Sequence, residues 1–278
     1  MRALALHPDV LVVTSAVLQV NCVIVRGGVD RAAVPAHGES DRSPLAGETF
    51  VIDSPVLPDE LDALPALLEQ AQFPAPSGLL VTHGDWDHVL GRLAFPGVAL
   101  GCAESTAERL RAAPGEAQRE LRAFDEDLLI ERERPLALGS VQVLPVPGHC
   151  AVGDRELELH RADGHTADGM AVALPWAGVL AVGDYLSTVE LPTLNDGGDL
   201  DAYLATLERL ETLLQRVEHV VPGHGPVLDR ERSAAILAED LEYLTSLRER
   251  GETAKLPHSR RTAADRRMHI QNAARVSA

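Results

Sequence analysis

The chain has 278 residues, 45% of them apolar, enough for one substantial hydrophobic core. Against 25 Lys and Arg stand 42 Asp and Glu, and the formal net charge of −17 repels polyanions, which argues against a protein built to coat DNA, RNA or an anionic membrane. The three cysteines, Cys22, Cys102 and Cys150, imply no disulfide framework; with no leader-like N-terminal pattern and no apolar run near 18 residues, the expectation is a cytoplasmic protein without a membrane partner.

In chain order, Leu18 to Val25 reads as a strand, followed by a polar, Gly- and Pro-containing excursion from Gly27 to Gly47 that is long enough to form a lid or a plain surface loop. Thr49 to Ile52 is a second strand that ends at Asp53. Apolar positions Leu61, Leu64, Leu67 and Leu68 predict a helix over Asp59 to Gln72, which Pro65 should kink or delay. A strand from Gly78 to Thr82 runs into His83-Gly84-Asp85-Trp86-Asp87-His88. Helical patterns occupy Ser105 to Ala112 and Pro114 to Leu128, then β texture returns at Val141 to Val146, Glu156 to His160, Met170 to Leu174 and Gly178 to Val182. Asp199 to Arg216 reads as a helix with Leu204, Leu207, Leu210 and Leu214 on one face. A short strand, His219 to Val221, precedes a Pro-Gly-His-Gly-Pro turn and a helix from Arg230 to Arg250. This alternation is that of an α/β sandwich with helices outside the sheets. No Gly-x-Gly-x-x-Gly follows a strand, and no Gly-Lys-Ser/Thr phosphate loop occurs.

Two domain assignments follow: a catalytic unit over residues 1–250 and a basic extension over 251–278. The extension carries six Lys and Arg against two acids, or +4, which leaves −21 for the rest. It reads as a helix packed on the same domain or on a partner subunit, so a homodimer is allowed, and nucleic acid is not expected.

The run from His83 to His88 places four ionisable side chains in six positions at the end of a strand. Residues two apart in extended backbone point the same way, so His83 and Asp85 can converge on one ion, while the turning chain directs Asp87 and His88 to a second point nearby. Burying these groups unpaired costs several kcal/mol each, roughly, and a cation is their natural common partner. Three further segments deliver one such group into a Gly-rich turn: Ala162-Asp163-Gly164-His165-Thr166, Ala181-Val182-Gly183-Asp184-Tyr185 and Val221-Pro222-Gly223-His224-Gly225. Taken singly, each is better explained by structure than by chemistry. Together they supply seven N and O ligands, His83, Asp85, Asp87, His88, His165, Asp184 and His224, the number a two-ion site needs with one carboxylate shared.

These ordered motifs resemble the metallo-β-lactamase superfamily, whose pattern is Thr-His-x-His-x-Asp-His, then Gly-His-Thr, Gly-Asp and Gly-His-Gly, in its hydroxyacylglutathione hydrolase-like or lactonase-like branch. Asp53 resembles the aspartate that closes an early strand of that fold. The resemblance implies a four-layer αββα sandwich with two divalent metal ions in a groove at one edge of the sheets. The first would take His83, Asp85 and His165, the second Asp87, His88 and His224, and Asp184 would bridge them. Asp85 departs from the pattern, standing where the family has a histidine. Its added charge and harder oxygen shift preference from zinc, the first expectation, toward manganese or iron. Pro147-Gly148-His149-Cys150 also resembles a family segment. However, His165 precedes Asp184 by 19 residues, room for one hairpin, and is followed by Thr166, so His165 is taken as the ligand and His149 as a surface or turn residue.

By the same resemblance, the expected function is a metal-dependent hydrolase that cleaves a small-molecule ester, thioester or lactone with water activated between the cations. Asp87 is assigned to ligation and proton relay, and Tyr185 as a candidate donor to a substrate oxygen. The alternatives are a mononuclear iron persulfide dioxygenase-like enzyme and a degenerate, non-catalytic metal-binding protein.

Overall fold

The structure, a computed structural model, describes residues 1–28 and 47–277. The excursion from Gly27 to Gly47 that reads as a lid or a plain surface loop lies almost wholly outside the described residues. Strands β1 (Arg2–His7), β2 (Val10–Thr14), β3 (Asn21–Gly27), β4 (Glu48–Ile52), β5 (Pro76–Leu80), β6 (Ala99–Ala103) and β7 (Val141–Leu144) form one sheet in that order, antiparallel up to β4 and parallel from β4 onward. The second sheet has the order β13-β12-β11-β10-β9-β8, built from β8 (Gly148–Val152), β9 (Arg155–Arg161), β10 (Met170–Leu174), β11 (Val179–Gly183), β12 (His219–Pro222) and β13 (Leu228–Asp229). Only β11 and β12 run parallel within it.

Side-chain alternation along these strands creates the layers. Val23, Val25, Ile52 and Leu80 of the first sheet meet Leu157, Leu159, Met170, Val172 and Val179 of the second in a dry inter-sheet core. The intervening residues of the first sheet, Cys22, Ile24, Val51 and Leu79, point outward. They are covered by α1 (Pro58–Gln70), α2 (Gly91–Ala94), α3 (Glu104–Ala112) and α4 (Glu116–Leu128). In the second sheet Ala171, Ala173, Leu180 and Val182 face the layer of α5 (Leu200–Leu214), α6 (Arg230–Arg250) and α7 (Ala263–Val276). The central strands of each sheet are therefore buried on both faces, the αββα arrangement. Among the described residues no helix is long and apolar enough to cross a membrane.

Local details follow the sequence with a few shifts. Pro65 lies inside α1 on its exposed side rather than delaying the helix. The sequence does not single out β1, β2, β6, β8, β13 or the single-turn helix α2. Two of them, β1 and β8, are sheet-edge strands with little buried surface: β1 has no buried position and β8 only Val152. Within residues 251–277 a 3-10 turn (Gly251–Thr253) leads to α7, where Thr262 and Asp265 form a reciprocal capping box. Ala273 of α7 joins the core beside α6, so this basic segment rests on the body of its own chain.

One side chain stitches the two sheets together at the edge where the parallel strands end. Asn21, 2% exposed, donates from Nδ2 to the carbonyls of Pro222 and Gly225 (both 2.8 Å) and accepts from Thr14 Oγ1 at 2.8 Å. Replacing it with alanine leaves two buried carbonyls without donors. Asn21→Ala should cost about 3 kcal/mol, read as a lower urea midpoint with unchanged slope; a loss under about 1 kcal/mol would show that the stitch contributes little.

Candidate metal centre

The ends of β4, β5, β11 and β12 lie together at this edge, and the chain leaving each carries one part of the site. Asp53, just past β4, adopts a left-handed φ of 57° and turns its carboxylate inward. There it accepts from Thr82 N–H (2.7 Å) and Thr82 Oγ1–H (2.8 Å), fixing the backbone that launches His83. The β10–β11 hairpin fills the interval between His165 and Asp184, bringing them to the same edge. Gly223 has to be glycine: a Cβ there would lie 2.0 Å from Asp184 Oδ1.

All seven expected ligands meet in one buried cluster. His83, Asp85 and His165 form one group whose ligating atoms lie within 4.8 Å of one another, and Asp87, His88 and His224 form another. Asp184 stands between the groups and divides its carboxylate. Oδ2 is 3.7 Å from His83 Nε2 and 3.3 Å from His165 Nε2, whereas Oδ1 is 3.1 Å from His88 Nε2 and 3.4 Å from His224 Nε2. Asp85 Oδ2 lies 3.6 and 3.5 Å from His83 and His165, and Asp87 Oδ2 lies 3.4 Å from His224. A tetrahedral ion with bonds of roughly 2.1 Å separates its ligand atoms by about 3.4 Å, so these spacings suit a cation in each group.

Hydrogen bonding at the far side of each ring points the histidines inward. His165 Nδ1–H donates to Thr193 O (2.8 Å) and His224 Nδ1–H to Leu18 O (2.9 Å), acceptors that admit no other direction. His88 Nδ1 bonds Asp53 Oδ2 at 3.0 Å. Thr82 Oγ1 has spent its proton on Asp53, so it accepts from His83 Nδ1–H at 3.0 Å. Each Nε2 is thus the nitrogen turned toward the neighbouring carboxylates, the outer-shell arrangement that prepares imidazole for a metal. His83 Nε2, His88 Nε2 and Asp184 Oδ1 are buried without a hydrogen-bond partner, which a cation would remedy. The residues present fit two divalent ions.

Comparison with known proteins bears on the family and the fold. The metallo-beta-lactamase superfamily profile matches residues 46–224, more than half of the chain. The chain belongs to the metallo-beta-lactamase superfamily. Its fold is similar to the metallo-beta-lactamase family protein TTHA1429 from Thermus thermophilus, with 20% identity and a TM-score of 0.66 over 99% of this chain and 96% of that one. It is also similar to the inverting sec-alkylsulfatase Pisa1 from Pseudomonas sp. (15% identity, TM-score 0.71), covering 99% of this chain and 49% of that one. A third similar structure, a beta-lactamase domain protein from Burkholderia ambifaria, has 17% identity and a TM-score of 0.62 over 98% of this chain and 85% of that one. No curated protein matches the sequence.

Within this superfamily fold, several polar groups around the site were not legible in the sequence. Asp85 does not bring an uncompensated charge: Arg109 of α3 lies 2.7 Å from its Oδ1 and also bonds the buried Asp168 at 2.9 Å. Asp168 in turn accepts Gly84 N–H at 2.9 Å, clamping the turn between His83 and Asp85. Asn195 Nδ2 donates to Asp85 Oδ2 at 2.9 Å. Glu190 approaches His224 Nδ1 to 3.7 Å and groups with Asp184 and His224 as a further set of potential ligands. Asp168 had a faint signal, three residues after His165 in the same turn. Arg109, Asn195 and Glu190 had none, because contacts between segments far apart in the chain leave no spacing in sequence.

Tyr185 requires a correction. It is 2% exposed, packs against Tyr203 with ring centroids 4.6 Å apart, and its hydroxyl accepts His165 N–H at 3.0 Å. It faces the core and supports His165 from behind, so it is not placed to touch substrate. His149 sits on exposed β8, outside every group of potential ligands among the described residues.

Burial alone would push the imidazole pKa values down, but the carboxylates override it. Asp184 and Asp85 raise His165 to about 10, Asp184, Glu190 and Asp87 raise His224 to about 10, and Asp184, Asp87 and Asp53 hold His88 well above 6.5. Without cations the site therefore holds protons in their place. The raised folded-state values stabilise the metal-free protein fully below about pH 6.5, and that stability is lost as pH rises toward 10. Metal affinity should climb over the same window, because each cation must displace those protons. Calorimetric zinc titration at pH 7 in buffers of different ionisation heat should report proton release, and heats independent of the buffer would contradict this protonation pattern.

Proposed function

We propose that the chain is a two-metal hydrolase of small-molecule esters, thioesters or lactones, with His83, Asp85 and His165 holding the first cation, Asp87, His88 and His224 the second, and Asp184 shared. The observation that carries this reading is the division of one buried carboxylate between two inward-facing histidine groups. When bound, the cations supply an activated water and polarise the scissile carbonyl. Asp87, 7% exposed, combines a ligating Oδ2 with an Oδ1 that lies 3.9 Å from His88 Nε2. Oδ1 is the position from which this residue takes a proton from water and returns it to the leaving oxygen or sulfur. Asn195 and Arg109 keep Asp85 oriented, while the buried Asp53 and Thr82 keep His88 and His83 turned inward.

The substrate space supports a small polar molecule. A cavity of about 710 Å³ adjoins Asp85, within the range of small-ligand sites. Donors from Arg109, Asn195, Gln271 and Arg275 line it, and Glu116, Glu120 and Asp196 give its wall an acidic character that repels a nucleic-acid backbone. Mononuclear iron chemistry would employ one histidine group and leave the other without a role. Zinc remains the first expectation for the metal, with manganese or iron accommodated by the Asp85 oxygen.

A screen of metal-loaded protein over esters, thioesters, lactones and phosphodiesters tests the substrate class, with chelation as the control. On whichever substrate turns over, Asp87→Asn should lower kcat by about 10²-fold or more with the fold intact, a loss of general-base size. His149→Ala should cost less than about tenfold. Equal losses from the two substitutions would remove Asp87 from the proton-transfer role.

A further inference from the structure

The loop that leaves β11 touches the metal centre at several points yet has no regular structure of its own between Leu191 and Asn195. Its carbonyl at Thr193 accepts from His165 Nδ1, Asn195 N–H donates to His165 O at 2.7 Å, and the Asn195 side chain reaches Asp85. Two of the three side chains in the first group are therefore oriented by residues 193–195. Something outside the loop has to fix it, because an irregular segment without a backbone ladder is otherwise free to shift its carbonyls.

That fixture comes from the C-terminal region, beyond the part of the chain that matches the superfamily profile. Asn272 on α7 is fully buried. Its Nδ2 donates to Pro192 O (2.6 Å) and to Tyr243 Oη (3.2 Å), and its Oδ1 accepts Leu194 N–H (2.9 Å). The carboxamide thus grips the backbone on both sides of Thr193, as a neighbouring strand would, and leaves the Thr193 carbonyl turned to His165. Arg260, also buried, holds the beginning of the same loop through Ser187 O (3.0 Å) and Glu190 O (3.2 Å), and is itself anchored by Asp240 at 2.6 Å.

We propose that Asn272 is a positioning residue for the first cation: its carboxamide sets residues 192–194, and through Thr193 and Asn195 it orients His165 and Asp85. The inference rests on the two-metal reading above. The second group depends on it less, because His88 is tethered by Asp53 and His224 by Leu18 O.

Stepwise zinc titration of the metal-free, full-length protein by calorimetry tests this, with Asp85→Ala and His224→Ala identifying the steps that belong to the first and second positions. Asn272→Ala should weaken the first step by about 10- to 100-fold, the usual size of an outer-shell loss, and leave the second at the wild-type value. Asn272→Ser, which retains one hydrogen-bonding atom, should fall between. Unchanged first-step affinity in folded Asn272→Ala overturns the proposal, as does equal weakening of both steps, which is the mark of general destabilisation. If neither variant folds, Asn272 is a stability residue and the positioning role fails. A wild-type protein that takes up no metal at either step would instead defeat the two-metal reading on which the proposal stands.

Discussion

Everything at the working edge of this molecule depends on the surroundings of one carboxylate. Asp184 is faced by four imidazole Nε2 atoms, two on each oxygen, and each imidazole is turned inward by an acceptor at its Nδ1. Such a concentration of buried polar groups is unfavourable unless a shared positive charge compensates it. In the metal-free protein, protons on His88, His165 and His224 play that part; in the proposed two-metal state the same nitrogens would serve as ligands. The fold serves this arrangement by ending parallel strands of both sheets at one edge and by joining those sheets there through Asn21.

The tethers come from widely separated parts of the chain. Thr82 and Asp53 serve His83 and His88, Leu18 serves His224, and the loop after β11 serves His165. A local disturbance should therefore affect one cation position more than the other. Asp85 fits the same logic. Its carboxylate, unlike imidazole, has a second oxygen, which Arg109 engages while Oδ2 faces the histidines. Arg109 is shared with Asp168, so the departure from a histidine is embedded in an ion-pair network reaching α3 and the turn that carries His165.

The elements and ligands were legible in sequence to the extent that their signals are local. Strand periodicity gave Met170–Leu174, and the Leu spacing of α5 gave its buried face. The Gly-flanked His and Asp residues gave the seven-membered cluster, and the interval before Asp184 separated His165 from His149. Strands β1, β2, β6, β8 and β13 were not recognised: β1 and β8 are edge strands with almost no buried face, β2 and β6 are five-residue runs without a polar alternation, and β13 has two residues. Arg109, Asn195 and Asn272 were invisible because their roles arise from contacts across 24, 110 or 78 positions in the chain. Tyr185 misled for a related reason: adjacency to Asp184 in sequence says nothing about which way its ring points, and the ring points into the core.

The most direct test of the central claim is metal content together with metal position. The full-length protein would be loaded with zinc or manganese, freed of excess ion, analysed for metal per chain, and located by anomalous diffraction. The account predicts two ions per chain, roughly 3.5–4 Å apart, with Asp184 in contact with both. A single ion at saturating metal, or two ions of which Asp184 touches only one, would contradict it.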